Sequence, residues 1–240
     1  MKTVIVTGPA RGLGYAVSKR LVNEGYQVIG IGRTMTPEYE SLMQNQQGGR
    51  AHFVSYDLND LAGISTLVTG IVRQHGPIYG LVNNAGIGVD GVLATLHATD
   101  ISRVLRVNLE AAILVTKFTC RSMLTQSEGR IISISSIIAS TGFNGLSVYA
   151  ATKAGLEGFT RSLARELGRA KITVNCVAPG YMETDMTIGL QGDKLASIRR
   201  RAPLGLPRVE DAAGAVAYLL SPDAERITGT VITVDGGSTA

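Results

Sequence analysis

The sequence predicts an α/β protein, a doubly wound parallel sheet of about seven strands with helices on both faces. Three observations carry that expectation. Short β-branched apolar runs alternate with stretches of helical period along the whole chain. The first run leads into a glycine-rich turn and then a helix. Polar side chains of chemical interest collect at the C-terminal ends of the runs, where sheets of this kind place their sites.

The composition agrees. With 240 residues, 45% of them hydrophobic and 18% charged, the chain can bury a large core and has no signature of disorder. One domain is expected over residues 1–240. Its weakly periodic stretch, residues 181–202, is expected to form a lid. The net charge of +4 is mild, and the basic residues are scattered apart from Arg199-Arg200-Arg201, so no nucleic-acid partner is expected. Cys120 and Cys176 lie in apolar segments without metal-ligand spacing and read as buried free thiols of a reducing compartment. There is no basic-then-apolar leader and no apolar run near about 18 residues, so a soluble cytoplasmic protein is expected. His52, His75 and His97 are dispersed, and no metal site is expected.

Residues 3–7, Thr-Val-Ile-Val-Thr, read as a buried parallel strand. Gly8, Arg11, Gly12, Leu13 and Gly14 form the turn that follows, in a Gly-x3-Gly-x-Gly pattern, and Ala16, Val17, Leu21 and Val22 continue it as a helix. Glycines let backbone approach a pyrophosphate, and a helix N-terminus offers free N–H groups and a positive dipole end. The second strand, residues 28–32, decides which dinucleotide fits. An acid at its end would bind a ribose 2′-hydroxyl, but this chain has Gly32, Arg33 and Thr34. Arg33 and Arg11 therefore suit a 2′-phosphate and NADP(H).

A third strand spans residues 51–56 and ends at Asp57 and Leu58. Asp57 has two readings, acceptor for an adenine amino group or cap of a helix beginning near Asp60. Residues 79–83 are the fourth strand, opening into Asn84, Ala85 and Gly86, small enough to leave room for a ribose or flat ring. Asn83 and Asn84 also read as satisfying loop backbone. A helix from about Asp100 carries Asn108, a poor mid-helix residue that marks a local backbone defect or a site residue, or both.

Residues 129–136 form a strand that delivers Ser136 to its end. Thirteen positions later Tyr149 opens a helix with Lys153 on the same face. A cation beside a phenol favours the phenolate and lowers its pKa from about 10, the tuning proton transfer needs. Gly155 and Gly158 in that helix suggest a close helix–helix contact, including one between subunits. Residues 172–177 are the sixth strand, ending at Ala178, Pro179 and Gly180. Residues 209–220 are a helix and residues 227–234 the last strand.

Taken together, Thr7-Gly8-x3-Gly12-x-Gly14, Asp57, Asn83-Asn84-Ala85-Gly86, Asn108, Ser136, Tyr149-x3-Lys153 and Pro179-Gly180-x3-Thr184 resemble the short-chain dehydrogenase/reductase family. The match runs in order along nearly the whole chain. Its later segments, Asn175-x-Val177-Ala178-Pro179-Gly180-x3-Thr184-Asp185-Met186 and Val234-Asp235-Gly236-Gly237, are most similar to 3-oxoacyl-(acyl-carrier-protein) reductases. The resemblance implies a Rossmann-type fold and a homotetramer. It implies that Tyr149 protonates a carbonyl oxygen as hydride arrives, that Lys153 lowers the tyrosine pKa and binds the nicotinamide ribose, and that Ser136 orients the carbonyl. It implies that Asn108 holds a water linking Lys153 to solvent. Asn84, Pro179, Gly180, Met182 and Thr184 would line the cofactor, with the Met182 backbone at the carboxamide.

The function implied is NADPH-dependent reduction of a 3-oxoacyl thioester, carried by acyl carrier protein or CoA, in fatty acid synthesis. Lys194 and the Arg199-Arg200-Arg201 run read as meeting an acidic carrier or a CoA phosphate, or as a solvated helix face. Two positions depart from the basic residues expected to dock a carrier: Ser127, followed by Glu128, and Ala170, between Arg169 and Lys171. Alternatives within the same chemistry are a quinone, sugar or xenobiotic ketone as substrate. A non-catalytic dinucleotide-binding subunit is the alternative from another class.

Overall fold

The computed structural model describes residues 1–45, 49–184 and 193–240. The strands are β1 (Thr3–Thr7), β2 (Gln27–Gly32), β3 (Ala51–Ser55), β4 (Ile78–Asn83), β5 (Gly129–Ile134), β6 (Ile172–Pro179) and β7 (Val231–Val234). The helices are α1 (Gly12–Asn23), α2 (Pro37–Gln44), α3 (Ile64–His75), α4 (Ala98–Leu105), α5 (Ala111–Gln126), α6 (Ile138–Thr141), α7 (Ser147–Leu167), α8 (Asp193–Arg201) and α9 (Val209–Leu220). Among the described residues the strands form one seven-stranded sheet in the order β3-β2-β1-β4-β5-β6-β7. Every neighbouring pair is parallel.

Side chains alternate across each strand, so one apolar run supplies two cores. Val4 and Val6 join Val28, Val82, Ile132 and Val177 beneath α1, α2 and α9. Ile5 joins Ile29, Leu81, Ile131 and Val174 beneath α3, α5 and α7. Burying each such side chain contributes about 1.5–3 kcal/mol. The chain moves outward from β1 to β3 and then returns to β4 on the other side of β1. That reversal opens a crevice beyond the C-terminal ends of β1 and β4, the usual binding position in open α/β sheets.

Several elements differ from the sequence expectation. Helix α2 is additional: Thr36 Oγ1 accepts from Tyr39 N–H and Pro37 occupies the first turn. That cap was visible in the sequence. The single turn α6 is additional too. Helix α3 starts at Ile64, not near Asp60, because Asp60 Oδ1 accepts from Gly63 N–H at 3.3 Å and turns the chain first. The helix expected from Asp100 is divided: α4 and α5 are joined by a π-helical turn, Arg106–Glu110.

The last strand is shorter than residues 227–234. Before Val231 the chain meets β6 through mixed bonds: Gly229 N–H donates to Val174 O at 2.7 Å, but Thr228 Oγ1 accepts from Val174 N–H at 3.1 Å and Asn175 Nδ2 donates to Ile227 O at 2.8 Å. Of the expected lid, residues 185–192 lie outside the described residues, and α8 follows them. Gly155 is explained within the chain, since a Cβ there would sit 3.0 Å from Leu109 Cδ2 of the π-turn, whereas a Cβ on Gly158 meets nothing within 4 Å.

Candidate active site

The glycine turn is built by close approach. Gly8 and Gly12 have positive φ, +64° and +51°, a region that favours glycine. A Cβ on Gly14 would run into the Gly8 carbonyl and come within 2.6 Å of Asn84 Nδ2. Tyr15 N–H is the first to reach a carbonyl four residues back, that of Arg11. The N–H groups of Gly12, Leu13 and Gly14 therefore stand ahead of the helical ladder, as at any α-helix start. Thr7 ties this turn to the next strand end: its Oγ1 accepts from the N–H groups of Asn84 and Ala85, each at 3.0 Å. Asn84 Nδ2 donates to Thr7 O and Gly8 O at 3.0 and 2.9 Å, so its amide holds the two loops together.

Arg11, Arg33, Thr34 and Asp57 are exposed along the rim, and Leu58 is buried behind them. Asp57 does not cap α3; its Oδ1 accepts from Asn59 N–H at 2.9 Å in a local turn. Gly32 is small for a second reason besides charge. A Cβ there would press on Pro9 Cδ at 3.2 Å, so an acid at this position conflicts with the buried Pro9 of the glycine turn. On the far side Gly180 is required by packing, since a Cβ would lie 2.8 Å from Asp235 Cβ. Thr184 returns to the turn, its Cγ2 within 3.7 Å of a Cβ built on Gly12. Met182 packs against the first core, and Pro179 ends β6.

The four polar residues singled out from the sequence come from three different segments, the π-turn, the end of β5 and α7. Ser136 follows β5, and its Oγ accepts from Ile138 N–H at 3.3 Å. The adjacent Ile137 N–H donates to Pro179 O at 3.1 Å, fixing this loop to the end of β6. Tyr149 and Lys153 lie one turn apart on α7, with Lys153 Nζ 5.5 Å from the Tyr149 ring centre. Lys153, 3% exposed, donates to Ile134 O at 2.7 Å.

Asn108 sits at the middle of the π-turn, fully enclosed. Its Oδ1 accepts from Ile87 N–H at 2.8 Å, and its Nδ2 donates to Ile87 O at 2.9 Å and Thr152 Oγ1 at 3.3 Å. The backbone defect and the site therefore coincide. Gly86 completes the cradle: a Cβ on it would stand 3.5 Å from Asn108 Oδ1 and 3.6 Å from Lys153 Nζ.

The electrostatics depart from expectation. Burial pushes the Tyr149 phenol up to about 12. Burial also pushes the Lys153 ammonium down to about 8, with nearby Cys176 opposing the fall. Desolvation outweighs the attraction of a cation that is held by the Ile134 carbonyl. Two residues of the site were given no role in the sequence. Thr7, quoted there only as part of the glycine motif, is the bolt between the two strand ends. Thr152, buried, donates to Tyr149 O at 2.7 Å while accepting from Asn108. Threonine inside a helix was the one available signal for the second, and it is a weak one.

Residues 2–194 match the family model described as short chain dehydrogenase. The chain belongs to the short-chain dehydrogenase family. As a short-chain dehydrogenase it is an oxidoreductase, and its site takes a nicotinamide dinucleotide. It is similar over nearly its whole length to proteins named 3-oxoacyl-(acyl-carrier-protein) reductase FabG. That of Salmonella typhimurium is 39% identical over 238 residues, covering 98% of this chain and 96% of the relative. That of Escherichia coli K12 is 38% identical with the same coverage. That of Haemophilus influenzae is 40% identical, covering 98% of this short-chain dehydrogenase and 97% of the relative. Among the described residues no helix is long and apolar enough to cross a membrane, and no group of three or more His, Cys, Asp or Glu residues is placed to hold a metal ion.

Proposed function

We propose that this protein reduces the ketone of a 3-oxoacyl thioester to the 3-hydroxyacyl product with NADPH, in fatty acid synthesis. The observation that carries the reading is the placement of Asn108 and Lys153 against Gly86, with Tyr149 one turn from Lys153 and Ser136 just past the end of β5, in a chain akin over nearly its full length to reductases of that name. The bound dinucleotide supplies the hydride. Ser136 Oγ donates a hydrogen bond to the ketone oxygen and sets its direction. Tyr149 gives its phenolic proton to that oxygen as the oxygen becomes an alkoxide. A phenol held near 12 keeps its proton at neutral pH until a base as strong as an alkoxide forms.

Lys153 places positive charge beside the ribose and the phenol. Asn108 holds the wall formed by Ile87 and Thr152. One Oδ1 lone pair takes Ile87 N–H, and the second is available to the water expected to link Lys153 to solvent. The glycine turn at the start of α1 binds the pyrophosphate. Arg33 and Arg11, exposed on the rim beside Gly32, select the 2′-phosphate, each charged contact contributing about 1.5–3 kcal/mol. Arg33→Asp is expected to reverse the coenzyme preference, measured as kcat/KM with NADPH and NADH. Better use of NADH by the unaltered protein refutes the choice.

Carrier docking is a separate matter. Ser127 ends α5 and precedes β5; Glu128 pairs with Lys2 at 2.6 Å. Ala170 lies in the turn before β6. Both positions are at the N-terminal end of the sheet, whereas Ser136 is at its C-terminal end. Strand β6 has 8 residues, and at about 3.3 Å per residue it separates the two ends by roughly 26 Å. The function is tested by NADPH oxidation with a short 3-oxoacyl group on CoA and on acyl carrier protein, at low and high salt. Reduction of both thioesters is expected, alike in rate and with little salt dependence, because the two docking positions carry no cation. Failure with both, alongside turnover of a quinone or sugar ketone, overturns the substrate assignment.

A further inference from the structure

We infer that Glu157 is a positioning residue for this reaction, acting through Ser135. The inference rests on the carbonyl-reductase reading above. Tyr149, Lys153 and Glu157 recur every four residues on α7 and so share a face. Ser135 directly precedes Ser136 and is 2% exposed. Its hydroxyl donates to Glu157 Oε1 at 2.6 Å and lies 3.4 Å from the backbone oxygen of Lys153. A serine hydroxyl has one hydrogen to give. The shorter, charge-assisted bond takes it, so the carboxylate is the anchor.

A second bond crosses the same junction in the opposite sense, from Lys153 Nζ to Ile134 O at 2.7 Å. The strand end that presents Ser136 is thus stitched twice to the helix that presents Tyr149. One stitch uses the Lys153 side chain. The other needs both Ser135 and Glu157.

An ordinary surface role for Glu157 is a poor fit. Its ion pair with Arg161 is long, 3.9 Å, and the arginine side chain is 58% exposed while the Glu157 side chain is only 15% exposed. Such exposed pairs contribute little. The partly buried hydroxyl–carboxylate bond joins the two segments whose spacing sets the distance between the Ser136 hydroxyl and the Tyr149 phenol. Errors of about 1 Å in such a spacing can lower a rate by about 10²-fold. The glycine turn that holds the pyrophosphate is on other elements, and Lys153 keeps its own bond to Ile134 O, so nucleotide affinity depends little on this bond.

The test uses the full chain with Glu157→Ala, Glu157→Gln, Ser135→Ala and the double variant Ser135→Ala/Glu157→Ala. Hydride transfer is read in a single turnover with a 3-oxoacyl-CoA. NADPH affinity is read by calorimetry and folding by thermal unfolding. Glu157→Ala and Ser135→Ala are each expected to slow hydride transfer by about 10–10²-fold with NADPH affinity within about twofold. The double variant is expected to be no slower than the worse single one, because both remove one bond. Glu157→Gln keeps an acceptor and is expected to retain most of the rate.

Wild-type rates in both alanine variants overturn the role, as do losses that multiply in the double variant. A Gln variant as slow as Ala overturns it too. If Glu157→Ala does not fold, Ser135→Ala and Glu157→Gln decide the matter by the same criteria. A wild-type protein that reduces no ketone overturns the function reading itself, and this one with it. An active wild type with equally active variants overturns only the role of Glu157.

Discussion

Burial raises the Tyr149 phenol to about 12 and lowers the Lys153 ammonium to about 8, so the two residues hold their protons very differently. For Tyr149 the consequence is a permanent acid across the neutral range. Tyr149→Phe removes the proton donor without touching the glycine turn. It is expected to lower kcat by about 10²–10⁴-fold while NADPH binding, measured by calorimetry, is unchanged. For Lys153 the consequence is a pH limit. The charged form prevails below about 8 and is lost as pH rises through that value. The value of kcat/KM for NADPH, which reports the free protein, is therefore expected to fall above about pH 8. A plateau persisting to about pH 10, the range of an ordinary lysine, contradicts it. The stability effect has the opposite sense. Because the folded pKa is below the unfolded one, the unfolded chain binds more protons between about 8 and the ordinary lysine value of 10.5, and stability from this group rises with pH in that window.

At the scale of elements, two local irregularities make the site. One is the turn between β1 and α1, where the Gly14 backbone packs directly on the Gly8 carbonyl. Gly14→Ala places a methyl into that contact, against backbone that cannot rotate away. A loss of about 1–3 kcal/mol is expected, as for other overpacked positions, seen as a lower unfolding midpoint of about 2–4 °C per kcal/mol together with weakened nucleotide binding. An unchanged midpoint and affinity would mean the turn is looser than described. The other irregularity is the π-turn between α4 and α5. It turns Asn108 inward, where one carboxamide serves both backbone groups of Ile87. π-Turns of this kind recur at functional sites because they re-aim one side chain without ending the helix.

For the molecule as a whole, the parallel sheet gathers residues from the entire length of the chain at one edge. Thr7, Asn84, Ser136 and Pro179 each stand at or just beyond the C-terminal end of a strand, although 172 positions separate the first from the last. A homotetramer is expected for the assembled protein. Gly158, with open space around its would-be Cβ, and the half-buried strand β7 at the sheet edge leave surface for neighbours. Light scattering is expected to show four copies of the chain per particle. A stable single-chain mass would remove that expectation and with it the explanation of Gly158.

The sequence by itself determined the succession of strands and helices along the chain, the two-sided burial, the glycine turn and the spacing of Tyr149 and Lys153. These are local properties, written in period and in turn chemistry, and neighbouring residues suffice to read them. The helix α9 was read to the residue for the same reason. Asn108 was visible only as an anomaly. That its side chain would cap Ile87 and meet Thr152 depended on a loop 21 positions away and a helix 44 positions away. The direction of the Tyr149 shift was decided by the tertiary structure, because desolvation depends on what covers a group and not on what is four residues from it. The same holds for Gly32 and Gly180. In the sequence Gly32 reads as the absence of an acid and Gly180 as lining the cofactor, but the packing of Pro9 and Asp235 against them appears only once distant segments meet.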